Sequence, residues 1–190
     1  FLTYSVIGFS GDPKALENRA MELTSHIETV SRTKLKLAYH VVSGLTDQIE
    51  TFFPPENRLC FIIAGDIVYN MAHIVPRPER STGKLVKGSD IDLVVIVDDQ
   101  TPDHLMKKLD DAIYREKYRL LISPHVREEV DYIVKKVVRI KEQIRFETFK
   151  HRVACKILHE GTLLYGSEAL FREIKAMLHQ TGVPDKLNEL

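Results

Sequence analysis

The most continuous apolar run in the chain covers residues 93–97, Leu-Val-Val-Ile-Val, and it follows a segment in which acidic and apolar residues alternate. Successive side chains of a β-strand point to opposite faces, so Asp90 and Asp92 share one face while the intervening apolar residues take the other. A run that is apolar at every position is typical of a strand buried on both sides. The pattern therefore predicts a core strand with two carboxylates at its beginning.

Apolar residues that recur every two positions indicate a strand, and those that recur about every 3.6 positions indicate a helix. These two periods divide the rest of the chain into strands and helices. Strands are predicted at residues 1–10, 58–64 and 126–138, with short ones at 118–122 and 162–166. Helices are predicted at residues 15–30, 33–52, 67–73, 145–159 and 167–179, and another begins at 101–103. Alternation of strands and helices favours an α/β (α+β) protein with a short mixed β-sheet backed by helices.

Composition places the chain among ordinary globular proteins. It has 190 residues, 44% hydrophobic and 28% charged, with a formal net charge of zero. This balance gives no overall electrostatic attraction toward nucleic acid or membrane, and no apolar run approaches the roughly 20 residues that span a bilayer. The two cysteines, Cys60 and Cys155, fit neither a disulfide scaffold nor a zinc motif, so a reducing, cytoplasmic location is expected.

The two acids at the start of the core strand carry the first chemical signal. Their Cα atoms are expected about 6.5–7 Å apart, which lets both carboxylates reach one divalent cation or a pair of cations. Two carboxylates on one face repel each other unless a positive charge lies between them. The alternative is that Asp90 caps a turn and Asp92 faces water. We expect Asp90 and Asp92 to bind a divalent cation.

The segment Gly88-Ser89-Asp90-Ile91-Asp92-Leu93 resembles the metal-binding strand of the DNA polymerase β-like nucleotidyltransferase superfamily. The resemblance extends over the order of elements from about residue 58 to residue 166. It implies Mg²⁺-dependent transfer of a nucleoside monophosphate from a nucleoside triphosphate, with ATP the expected nucleotide. The acceptor would be a hydroxyl group of a small molecule, a protein or a nucleic acid, and pyrophosphate would be released.

The resemblance also implies a third carboxylate on a later strand, and Asp131 matches it. Asp131 lies between Val130 and Tyr132, after the helix that follows the acid pair. Its role would be to bind metal or to act as general base toward the acceptor hydroxyl. Glu129 has the same facing and is the second choice, and the alternative is that Asp131 is an exposed residue at a sheet edge.

The resemblance assigns the phosphate grip to Gly65 and Asp66, which follow the strand at residues 58–64. The glycine would let phosphates approach the backbone, and a helix beginning there would offer free N–H groups to an anion. The family has Ser at the second position. Asp66 in its place either caps the helix or repels a phosphate unless a cation intervenes.

Residues 74–87 make the interval between Gly65-Asp66 and the acid pair longer than in small family members. This stretch is rich in Pro, Gly and basic residues, which predicts a mobile loop over the site. Its cations, Arg77, Arg80, Lys84 and Lys87, would contact triphosphate or acceptor as a lid, or would simply be solvated. Lys87 and Ser89 complete the expected nucleotide-binding set.

The sequence as a whole predicts an N-terminal strand and helical segment at 1–57, packed on a nucleotidyltransferase-like domain at 58–190. Helices would be added at both ends of the fold. The primary functional hypothesis is a metal-dependent nucleotidyltransferase. The alternative is a nucleotidyltransferase-like module that binds nucleotide, or regulates, without transfer.

Overall fold

The computed structural model of the protein describes residues 13–53 and 58–189. The predicted strand at 1–10 lies outside these residues. The helices are α1 (Pro13–Ile49), α2 (Asp103–Ile122), α3 (Val137–Gln143), α4 (Phe149–Glu160), α5 (Glu168–Gln180) and α6 (Val183–Asn188). The strands are β1 (Leu59–Ala64), β2 (Pro76–Pro78), β3 (Leu85–Lys87), β4 (Ile91–Val97), β5 (Val130–Lys136) and β6 (Thr162–Gly166).

A four-stranded mixed sheet in the order β5-β4-β1-β6 forms the centre of the described fold. Strand β4 pairs in parallel with β5 and antiparallel with β1, which in turn pairs antiparallel with β6. This mixed sheet has helices packed against both faces, which confirms the predicted α/β class.

The two faces of the sheet are buried against different helices. Along β4, Leu93, Val95 and Val97 join a core with residues of α1 and α2. Val94 and Ile96 join a second core with residues of α3 to α6. Burial on both sides explains why the run is apolar at every position.

Helix α1 corrects the prediction of two N-terminal helices at 15–30 and 33–52. One continuous helix runs through this boundary, where no Pro or Gly interrupts it. The hydroxyl of Ser31 donates to the carbonyl of Ile27, and that of Thr33 donates to the carbonyl of Thr29. Both hydroxyls are therefore hydrogen-bonded within the helix. Among the described residues, no helix is both long and apolar enough to cross a bilayer.

Three further predictions about elements are wrong. Residues 118–122 are not a strand, because α2 continues to Ile122. Residues 74–87 are not an irregular loop, because β2 and β3 pair into a small antiparallel hairpin. Residues 67–73 do not form a helix, because only a short 3₁₀ turn, Gly65–Ile67, follows β1.

The C-terminal elements agree better with the sequence pattern. Helix α4 begins at Phe149 rather than at residue 145, after Thr148 accepts a bond from the His151 amide as N-cap. Helix α5 begins after Ser167, whose hydroxyl accepts from the Leu170 amide. Helices α3 and α6 were not predicted because each is very short. The domain boundary near residue 57 stays a prediction.

Candidate metal and nucleotide site

Three aspartates from two adjacent strands converge at one end of the sheet. Asp90 directly precedes β4, Asp92 lies on β4, and Asp131 lies on β5. One carboxylate oxygen from each lies within 4.8 Å of the others. The parallel register places Asp92 directly opposite Asp131, while strand alternation puts Asp90 on the face of Asp92. The fold therefore brings together the three acids that the sequence singled out.

The central acid, Asp92, lies in an unfavourable electrostatic environment for a carboxylate. Burial, followed by the nearby negative charges of Asp131 and Asp66, raises its pKa to about 6. Glu129 acts in the same direction, while the guanidinium of Arg77 opposes it. Both burial and like charge disfavour the ionised form, so a cation among these oxygens would relieve the strain.

Arg77 of the β2–β3 hairpin reaches into this cluster. Its Nη2 forms an ion pair with Oδ1 of Asp90, and its Nη1 lies 2.8 Å from Oε2 of Glu129. Its Nε donates to the carbonyl of Gly88 at 2.8 Å. Glu129 is 4% exposed, so Arg77 supplies the positive partner that a buried carboxylate requires.

Lys117 of α2 contacts the third acid of the cluster, Asp131. Its Nζ lies 3.3 Å from Oδ1 of Asp131 and about 6 Å from the centre of the Tyr132 ring. Arg77 is thus paired with Asp90, and Lys117 is paired with Asp131. The Asp92 carboxylate lies between these two pairs, and burial is the largest cause of its raised pKa.

Gly65 is required by its distance to Asp92. Its φ is +71°, and a Cβ atom added there would lie 2.1 Å from Oδ2 of Asp92. The glycine therefore makes room for the central carboxylate. The resemblance implied room for a phosphate at this position.

Asp66 does not cap a helix, which corrects that sequence interpretation. Its Oδ2 accepts a hydrogen bond from the Ser89 hydroxyl at 2.7 Å. Ser89 also accepts from the amide of His73 and donates its own amide to the carbonyl of His73. A Cβ on Gly88, whose φ is +61°, would lie 1.9 Å from that same carbonyl. The Gly88-Ser89 pair thus packs the start of β4 against the segment after β1.

Lys87 does not reach the acids, since its Nζ donates to the carbonyl of His125 at 2.8 Å. Its own carbonyl accepts from Nζ of Lys34 on α1, again at 2.8 Å. Lys34 also forms a buried ion pair with Glu128, the residue before Glu129. Helix α1 therefore fixes the backbone ahead of both acid-bearing strands.

An open cavity of about 340 Å³ adjoins the acids. Asp92 and Asp131 lie at its wall, and Ala64, Ile133 and Ile157 supply apolar surface. Ile133 is 50% exposed. A polar group bound at the acids would thus have an apolar surface beside it.

The donor set fits a hard divalent ion. Carboxylate oxygens are the ligands that Mg²⁺ and Mn²⁺ prefer, and one oxygen from each of three acids is already close to the others. The crowding that raises the pKa of Asp92 is the condition that a cation would relieve.

The sequence pattern does not identify Arg77 or Lys117 as site residues. Arg77 appears in it only as one of four cations of residues 74–87. Their partners are distant in the sequence, and no local period marks them. The only local signal was the basic character of residues 74–87.

Comparison with protein families supports the class that the fold and the acids define. Residues 80–156 match the family model described as a nucleotidyltransferase domain. This segment contains Asp90, Asp92 and Asp131, and its match confirms the resemblance to the DNA polymerase β-like nucleotidyltransferase superfamily. Gly65 and Asp66 lie before the matched segment. A comparison with curated proteins finds no match.

Proposed function

We propose that the protein is a metal-dependent nucleotidyltransferase that transfers a nucleoside monophosphate from a nucleoside triphosphate, with ATP the expected donor, to a hydroxyl group. The observation that carries the proposal is the convergence of Asp90, Asp92 and Asp131 within a nucleotidyltransferase domain. Carboxylates this close to one another disfavour each other's ionisation, and a divalent cation held among their oxygens would relieve that repulsion.

Asp90, Asp92 and Asp131 would hold the Mg²⁺ or Mn²⁺ ion. When bound, the ion would neutralise phosphate charge and polarise the phosphoryl group under attack. The chain itself contributes a rigid frame: β4 and β5 fix Asp92 and Asp131 in register, and Gly65 leaves room for the Asp92 carboxylate. Positioning of this kind lowers the entropic part of the barrier.

Asp131 is the candidate to accept the proton of the acceptor hydroxyl. Its side chain is 50% exposed at the mouth of the cavity, and Lys117 holds one of its oxygens. The acceptor oxygen would form a bond to the α-phosphorus as the bond from that phosphorus to the bridging oxygen breaks. Pyrophosphate would leave with that electron pair, and the hydroxyl proton would pass to Asp131.

The residues on the other side of the acids would shape the nucleotide subsite. We assign Gly65, Asp66 and Ser89 to its inner wall, because Ser89 connects Asp66 to the beginning of β4. Lys87 would lie at the rim of this subsite, since its amino group donates to His125 and its carbonyl accepts from Lys34. A reducing, cytoplasmic setting suits Cys60 and Cys155, which are free and buried thiols.

A second candidate function is nucleotide binding without transfer. It is favoured by Arg77, which already engages Asp90, and by Asp66, which stands where the family has Ser. Such a module would retain Mg²⁺-dependent nucleotide binding and release no pyrophosphate.

The test is incubation with each α-³²P-labelled nucleoside triphosphate and Mg²⁺, with and without small-molecule, protein and RNA acceptors. Label transfer with equal pyrophosphate release, lost in Asp90→Ala, supports the transferase. Asp47→Asn is the matched control, because Asp47 is exposed on α1 away from the site. Nucleotide binding without turnover supports the second candidate. A protein that neither binds nor turns over nucleotide contradicts both candidate functions.

A further inference from the structure

The β2–β3 hairpin brings a permanent positive charge to a group of carboxylates that the transferase proposal assigns to metal. Arg77 contacts two of them at once, Asp90 through Nη2 and Glu129 through Nη1, while Nε is bound to the carbonyl of Gly88. All three contacts come from one planar guanidinium. This fork geometry is specific to arginine and is not available to lysine.

Glu129 is the less accessible of the two partners. It is 4% exposed and directly precedes β5, the strand of Asp131. A carboxylate buried to this degree needs a positive partner to remain ionised. Asp90 is more accessible, with a side chain 23% exposed, and it is the one that belongs to the acid cluster.

We propose that Arg77 is a positioning residue that acts as a tethered counter-charge: it shares its charge between Glu129 and Asp90 and thereby sets how tightly the acid cluster binds a divalent ion. This inference rests on the proposed function for the identity of the ligand. Arg77 and a metal ion compete for the Asp90 carboxylate. The negative charge of Glu129 offsets part of the Arg77 charge and so weakens this competition.

The proposal predicts opposite effects for the two partners. Arg77→Met removes the competing charge, and Mn²⁺ binding tightens about tenfold, the size expected for one unit charge near a divalent ion in a solvated site. Glu129→Gln removes a negative charge that offsets Arg77, so Arg77 competes more strongly with the metal and Mn²⁺ binding weakens by a similar factor. In the double variant the two changes cancel, and affinity returns to within about threefold of the wild type.

The experiment measures free Mn²⁺ by its electron paramagnetic resonance signal during titration of the full chain, without nucleotide. Arg80→Met is the matched control, since Arg80 is an exposed arginine of the same hairpin. Arg77→Lys keeps the charge but loses the fork, so it tightens Mn²⁺ binding less than Arg77→Met does. Equal weakening in both single variants, with no recovery in the double, would show a merely structural role and overturn the proposal.

Thermal unfolding of the wild type, Arg77→Met, Glu129→Gln and the double variant, all without metal, provides the second readout. Arg77→Met is less stable than the wild type because Glu129 loses its partner, and adding Glu129→Gln restores most of the loss. Failure of this restoration overturns the counter-charge role whatever the metal does. A wild-type protein that binds no Mn²⁺ contradicts the transferase proposal and the metal-tuning role, while restoration still supports the pairing of Arg77 with Glu129.

Discussion

Asp92 on β4 and Asp131 on β5 are register partners in neighbouring parallel strands, so two carboxylates lie side by side at the end of a buried sheet. Parallel pairing makes this juxtaposition a property of the backbone. The register alone brings the side chains of Asp92 and Asp131 together. The fold thus holds together two like charges that repel. Burial, followed by the charge of Asp131, raises the pKa of Asp92 to about 6.

Replacing Asp92 should lower activity and raise stability. We expect Asp92→Asn to lower turnover at least 100-fold and, without metal, to raise the free energy of unfolding at pH 7 by about 1–2 kcal/mol, after allowance for partial exposure to solvent. The gain arises because the wild-type carboxylate is ionised at pH 7 against burial and its neighbours.

The pH dependence of that gain follows from the direction of the pKa shift. The folded pKa of Asp92 lies near 6, above its ordinary value of 3.8, so between these values the folded state binds more protons than the unfolded state. Wild-type stability therefore falls as pH rises from about 4 to 6, relative to Asp92→Asn. Urea unfolding of both proteins at several pH values measures the difference, and a constant difference would contradict the prediction.

Gly65→Ala should damage the site through Asp92. The new Cβ would lie 2.1 Å from Oδ2, at a backbone φ of +71°, and we expect a loss of about 2–4 kcal/mol in stability together with reduced turnover. Gly83→Ala is the matched control, since Gly83 has φ +69° with no atom within 4 Å of an added Cβ. Equal losses in the two variants would show that backbone strain alone matters and that the contact with Asp92 does not.

Lys135 on β5 is a buried cation whose removal should stabilise the protein. Burial, then the charge of Arg139, lowers its pKa to about 8. We expect Lys135→Met to raise the free energy of unfolding by about 1–2 kcal/mol at pH 7, a gain reduced by the lost bond to Gln143. Lys150→Met, at an exposed position of α4, is the control.

The gain from Lys135→Met should also depend on pH. Between pH 8 and 10.5 the unfolded state binds more protons than the folded state, so wild-type stability rises with pH in this window. The advantage of the variant therefore shrinks above pH 8. An advantage that grows with pH in guanidinium unfolding would contradict the assigned direction of the shift.

The buried pair of Lys34 and Glu128 anchors α1 beneath the acid-bearing strands. Lys34→Met leaves a buried carboxylate without its partner and should cost about 3–5 kcal/mol. Adding Glu128→Met should recover most of this loss, because both charges are then absent. Chemical denaturation of the two variants measures the recovery, and a double variant no more stable than the single one would show that the pair does not act through charge.

Much of the sheet could be predicted because its information is local. The apolar run after Asp92 and the alternation around Asp131 each mark a strand by themselves, and the resemblance to a family connected the two. Arg77 could not be found in this way. Its partners Asp90 and Glu129 lie on other elements. The strands of the hairpin that carries Arg77 are only three residues long, too short for the sequence pattern to distinguish them from a loop.

Helix α1 and the segment after β1 show two other limits. The sequence predicts two helices divided near residues 31–32, but no Pro or Gly stands there, and a single helix continues through this point. After β1, a glycine followed by an acid indicated a helix start. The chain instead turns there because Gly65 must accommodate Asp92 and Asp66 is engaged by Ser89.

Anomalous scattering from crystals soaked with Mn²⁺ and a nucleoside triphosphate analogue that resists transfer is the most direct test of the central claim. We expect a Mn²⁺ peak within coordination distance, about 2.0–2.3 Å, of carboxylate oxygens of Asp90, Asp92 and Asp131, with the phosphates on the opposite side of the ion. The peak should be absent in Asp92→Asn. Bound nucleotide with no Mn²⁺ at the three acids, or Mn²⁺ retained there in Asp92→Asn, would contradict the assignment.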